Sequence, residues 1–162
     1  MRRSTNLFVP PDPVLVEVGT GGLEKLKRRQ FMEDKLIHRS AAGDMLSSKN
    51  EVIIADALHD ARKDLGIKYI AEPEIDIIGQ TRSPDFVVQD RAGGIWYWEH
   101  LGMLTEDAYV ARWERKVALY RQAGIISRDE RPDGKLVVTR SGIDGSIDSQ
   151  AVRRLIRDIW GG

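Results

Sequence analysis

Two carboxylates stand where a charge is costly. Asp85 lies between Pro84 and the apolar run Phe86-Val87-Val88, and Glu99 follows Ile95-Trp-Tyr-Trp98, a segment dense in β-forming aromatics. A charged group in such surroundings is unfavourable unless it is paired or bound to a metal. Alternation along the second segment sets Ile95, Tyr97, Glu99 and Leu101 on one face and Trp96, Trp98 and His100 on the other. Between the two runs, Asp90-Arg-Ala-Gly-Gly94 is a hairpin signal, and a tight turn there brings Asp85 and Glu99 side by side. Like charges so placed repel unless a cation lies between them. Hard oxygen donors of this kind favour magnesium or manganese over zinc. Taken singly, each residue has a plainer role: Asp85 as the cap of a turn, Glu99 as the partner of an arginine.

Other residues gather around this pair. Glu51 lies one turn before Ala55 and two before Leu58, so it points along a core-facing stripe near a helix start. The helix dipole alone would favour a carboxylate there. Tyr109, Trp113, Lys116, Val117 and Tyr120 share one face at helical spacing. The side chain of His100 points away from the face of Glu99, and His38 and His59 lie in polar surroundings without an assigned role. The three histidines are too scattered for a zinc motif. With no cysteine in the chain, thiolate zinc sites, disulfides and cysteine nucleophiles are excluded.

The elements that must position these groups are legible in outline. Residues 1–20 hold three prolines and read as an extended lead-in, residues 22–38 suggest a polar helix, and a loop runs through Gly43. Ser47, Ser48 and Asn50 are capping residues for a helix whose apolar positions 54, 58, 61 and 65 follow helical spacing up to the stop at Gly66. Residues 67–78 alternate like a strand broken at Pro73, Gly79 to Ser83 reads as a turn, and strands follow at 84–89 and 95–101. A second long helix spans about Thr105 to Ala123, then comes a strand at 135–140, and Asp148 or Ser149 caps a last helix to Trp160. The order is α-β-β-β-α-β-α, an α/β arrangement with a meander sandwiched by helices.

Length fits one domain, at residues 47–162, preceded by an extension or connector over 1–46 with one helix. No run approaches the roughly 18 apolar residues of a membrane span, and Asn6-Leu-Phe-Val-Pro10 is too short for a signal sequence. A cytoplasmic, membrane-free protein is the expectation. Basic and acidic residues balance at 25 each, which argues mildly against a nucleic-acid partner. Local runs weigh the other way: Lys25-Leu-Lys-Arg-Arg29, Arg112-Trp-Glu-Arg-Lys116 and Arg153-Arg154 are each able to touch phosphate or to form a solvated helix face.

Pro84-Asp85, Glu99 and the acidic Glu51 on the first helix resemble the pattern of the PD-(D/E)XK nuclease superfamily. More narrowly, Ser48-Lys-Asn-Glu-Val-Ile-Ile-Ala-Asp-Ala-Leu58, Ser83-Pro-Asp-Phe86 and Trp98-Glu-His-Leu-Gly-Met103 look like the nuclease-type domain at the C-terminal end of some bacterial superfamily 1 DNA helicases. The resemblance implies a restriction-endonuclease-like core, α-β-β-β-α-β, with a mixed sheet flanked by helices. It implies a Mg2+- or Mn2+-dependent deoxyribonuclease in which Glu51, Asp85, Glu99 and the His100 backbone carbonyl hold metal. One departure is that Leu101 occupies the position of the family lysine, two residues after Glu99. Some members carry that lysine on the following helix, where Lys116 is the candidate. Arg112, Tyr109, Trp113 and Tyr120 are expected to contact DNA, the aromatics by stacking on an unpaired base. Two other expectations stand beside this: a non-catalytic DNA-binding or docking module that keeps the fold, and a subunit that contributes only protein contacts to a helicase in the same or another chain.

Overall fold

The computed structural model describes Leu23, residues 38–46 and residues 48–162. Two short strands, β1 (His38–Arg39) and β2 (Met45–Leu46), form an antiparallel hairpin. Helix α1 (Lys49–Leu65) follows, with the Ser48 hydroxyl accepting from the Glu51 amide and Gly66 closing it at φ 67°. Then come β3 (Lys68–Ala71), β4 (Ile75–Ile77), β5 (Gln80–Arg82), β6 (Phe86–Gln89) and β7 (Ile95–Leu101). The chain ends with α2 (Asp107–Gln122), β8 (Leu136–Arg140) and α3 (Ser149–Trp160), the last capped by the Asp148 carboxylate.

Strands β3, β6, β7 and β8 form one mixed sheet in that order. The first two pairings are antiparallel and the last is parallel. Alternation sorts its side chains into two cores. Phe86, Val88, Trp98 and Val137 pack with Ile54 and Leu58 of α1 and Val152 and Ile156 of α3. Val87, Tyr97 and Leu136 point the other way and pack with Leu119 and Tyr120 of α2 and with Ile75 and Ile77 of β4. Both faces are covered, which is why these strands read as near-continuous apolar runs. The fold is therefore mixed α/β with helices on a mixed sheet, as expected.

Two expected loops differ from the structure, and other local expectations fall at or beyond the limit of the described residues. The helix expected over 22–38 lies, apart from Leu23 and His38, outside the described residues, as do the lead-in over 1–20 and the basic run 25–29; His38 itself opens β1. The loop through Gly43 is the tip of a hairpin docked on α1, where the Ala41 amide donates to Asp56 at 2.8 Å. Leu46 is fully buried, so the packed body extends back across the expected boundary at 46/47. The turn expected from Gly79 to Ser83 is shorter: Gln80–Arg82 pair with Ile75–Ile77. The two turn residues, Ile78 and Gly79, have φ of 51° and 77°, as a type I′ hairpin requires. Among the described residues no helix is long and apolar enough to cross a membrane.

Candidate functional site

Sheet register builds the site. β6 pairs with β7 so that Phe86 faces Trp98, and one step further along the same ladder sets Asp85 opposite Glu99. Tyr97 and Glu99 share a face, and Glu99 is buried against α2. Its Oε2 accepts from the Tyr120 hydroxyl at 2.5 Å and lies 2.7 Å from Lys116 Nζ. Lys116 Nζ also donates to the Ser83 carbonyl at 3.0 Å, so one ammonium ties α2 to the segment that leads into Asp85. Asp85 Oδ2 accepts from the His100 amide at 2.6 Å. Glu51, buried in the first turn of α1, lines the same cleft as Asp85, Glu99 and Lys116. The cleft has a volume of about 620 Å3.

Electrostatics agree with crowding of negative charge. The Asp85 carboxyl is held well above the usual carboxylate range, first by burial and then by the charges of Glu99 and Glu51. Lys116 and the His100 amide oppose the shift without cancelling it. Burial, followed by the charge of Glu99, pushes the Tyr120 hydroxyl well above its ordinary value, so this phenol is a donor to Glu99 and not an acid in reserve.

The opposite face of β7 carries a polar chain that braces the site. His100 Nδ1 bonds Thr139 Oγ1 and Nε2 bonds Ser141 Oγ, both at 2.9 Å. Trp98 Nε1 donates to the same Thr139, and Asn50 Nδ2 donates to Ser141 Oγ and to the Gly145 carbonyl. The start of α1, next to Glu51, is thereby fastened to the ends of β7 and β8. Burial drops the His100 imidazole to about 4, so it is neutral at neutral pH.

The expected residues therefore meet, with one change of role. Tyr109, Arg112 and Trp113 line the cleft. Tyr120 does not: it is fully buried, and a ring with no exposed surface positions Glu99 and cannot touch a nucleic acid. The His100 carbonyl has the Tyr109 hydroxyl at 3.5 Å, at the limit of a hydrogen bond. Lys116 is not a surface lysine laid over Trp113; its ammonium sits on Glu99.

Glu72 and Arg82 carry no mark of the cleft in the sequence. Glu72 lies one step beyond β3, and its amide donates to the Asp85 carbonyl at 2.8 Å, so Glu72, Asp85 and Glu99 form a row across three strands. Pro73 and a φ of 49° at Glu72 hide this extension of the strand, although the Asp85–Glu99 register carried one strand further points to it. Arg82 also borders the cleft, as does Arg115 from the basic run 112–116 already expected to reach phosphate. An isolated arginine in a polar run carries no positional signal.

Carboxylate oxygens are the donors that suit Mg2+ or Mn2+, and a cation would relieve the repulsion felt by Asp85. In donor chemistry and in charge the residues fit. The side chains as they stand are not a finished cage: among the described residues no group of three His, Cys, Asp or Glu that could hold a metal ion is formed. Glu99 Oε2 is taken by Tyr120 and Lys116. No protein-family model, curated protein or solved structure matches this chain.

Proposed function

We propose that this protein is a metal-dependent nuclease that hydrolyses DNA phosphodiester bonds on a restriction-endonuclease-like core. The observation that carries the reading is the row of carboxylates across neighbouring strands of the sheet with a lysine ammonium set into it. Glu51, Asp85 and Glu99 would hold one or two Mg2+ or Mn2+ ions, with the His100 carbonyl as an added oxygen donor. When bound, the metal supplies an activated water and neutralises charge developing on the phosphate.

The chain's own residues do the rest. Lys116 is placed by Ser83 and Glu99 to orient the attacking water or to meet charge on a phosphate oxygen. Tyr120 holds Glu99 in a fixed orientation, and the His100 amide does the same for Asp85. Arg112 at the rim would bind the backbone, and Tyr109 and Trp113 offer faces for a base. DNA as the substrate, and a helicase in the same or another chain as the partner, rest on the sequence resemblance.

A second reading is a DNA-binding or docking module that keeps the fold without turnover. The Lys116–Glu99 ion pair favours it, because it engages a proposed ligand oxygen. Incubation with single- and double-stranded DNA and Mn2+ separates the two. The nuclease reading expects cleavage that Asp85→Ala abolishes; binding without nicking gives the module its case, and unchanged cleavage in the variant removes Asp85 from the mechanism.

A further inference from the structure

Arg82, Arg112 and Arg115 border the cleft, and among the described residues none of them is in an ion pair with a carboxylate. Arg82 binds only its own hairpin, through the Thr81 carbonyl and the Gln80 side chain. Arg112 lies over the Tyr109 ring at 5.8 Å, and Arg115 is exposed on the same helix. The cleft thus combines a carboxylate row, with Lys116 set on Glu99, and three guanidiniums that pair with none of its carboxylates among the described residues. Such a division suits a ligand that is itself a chain of anions: some phosphates meet the arginines while one is held over the carboxylates through a cation.

The placement of the cations narrows the ligand. Two different elements supply the cations: the β4–β5 hairpin inserted between the first two strands of the sheet carries Arg82, and α2 carries Arg112 and Arg115. Tyr109 and Trp113, half-buried on α2, add π-faces beside those charges. A basic track with interleaved aromatics is the arrangement that binds unpaired strands.

We infer that the cleft takes a single nucleic-acid strand, or an unpaired end, with Arg82 on the hairpin and Arg115 on α2 as phosphate-binding residues. This rests on the nuclease reading of the same site and adds its substrate class. The phosphates flanking the scissile one lie on these arginines, so the hairpin is a part of the binding surface and not only a cover for the core.

The test is a fluorescence-anisotropy titration with EDTA present, using one mixed-sequence DNA oligonucleotide either alone or annealed to its complement. The single strand should bind about tenfold or more tightly than the duplex, as one stacked base would give. Arg82→Ala and Arg115→Ala should each lower the slope of log affinity against log salt by about 0.7. Arg131→Ala, on a loop outside the cleft lining where Arg131 pairs with Asp133, is the control and should leave it alone. Thermal melting of each variant checks that the fold is kept. Equal or tighter duplex binding overturns the inference, and so do unchanged slopes in both cleft variants. Cleavage with Mn2+ is scored separately: a duplex-specific cut keeps the nuclease and removes this substrate, while single-strand binding with no cut does the reverse.

Discussion

At the scale of single residues, the account turns on which atoms each charge touches. In the proposed nuclease, Lys116 is the group that most directly links structure to rate. Its ammonium contacts Glu99 and the Ser83 carbonyl, so its loss removes a positioned cation and leaves Glu99 with Tyr120 alone. Lys116→Ala should lower single-turnover cleavage by about 10²–10³-fold, and undiminished cleavage would remove it from the mechanism. His100 gives a pH prediction. Its folded pKa, about 4, is depressed below the ordinary 6.5 by burial, so its stabilising contribution is present above 6.5 and is lost as pH falls through 4. Discounted for solvent screening, the loss is on the order of 2 kcal/mol. Asp85, whose pKa is raised, acts with the opposite sign: its cost to folding grows as pH rises above the ordinary 3.8. Melting temperature against pH in wild type and His100→Gln isolates the histidine. The wild type should lose stability more steeply between pH 6.5 and 4, and parallel curves would contradict the assignment. The Asp85–Glu99 pair was legible in the sequence because a strand's period of two and a glycine turn fix register. Lys116 was legible because helical period fixes a face. Period gives direction without depth, which is why Tyr120 read as a contact residue and is a core one.

At the scale of elements, α1, α2, β6 and β7 follow from caps, breakers and apolar spacing, and their boundaries come out within a few residues, whereas the strand expected over 67–78 is split into β3 and β4, which lie in different sheets. The pieces that were missed are short. β1 and β2 have two residues each, too few for a period to register. β5 is the polar run Gln80-Thr-Arg, read as a turn because no apolar alternation marks it. Its turn also stores strain: Ile78 is β-branched, half-exposed and held at φ 51°, a conformation that costs such a residue about 1–3 kcal/mol. Asparagine is the preferred residue there before a glycine. Ile78→Asn should therefore raise stability by about 1 kcal/mol, which for a domain of this size is roughly 2–4 °C in Tm by calorimetry. A fall in Tm would mean that the Ile78 side chain packs in a way that outweighs its backbone strain.

At the scale of the whole molecule, a balanced net charge hides a separated one. Carboxylates of α1, β7 and the segments beside β3 and β6 line the cleft with arginines of the hairpin and of α2. The sheet contributes rigidity, since its carboxylates are fixed by main-chain register and braced from behind by the Asn50–Ser141–His100–Thr139 chain. No composition statistic carries that separation, because it arises only when distant segments meet. On the proposed function, the crowded carboxylates form a divalent-cation site. Its most direct test is a Mn2+ titration of the wild type, Asp85→Asn and Glu99→Gln, followed by calorimetry and by melting temperature. The account predicts that the wild type binds Mn2+ and is stabilised by about 2.7 kcal/mol at a hundredfold excess over Kd, and that both variants lose the response. An equal Mn2+ response in all three proteins, or none in the wild type, would contradict it.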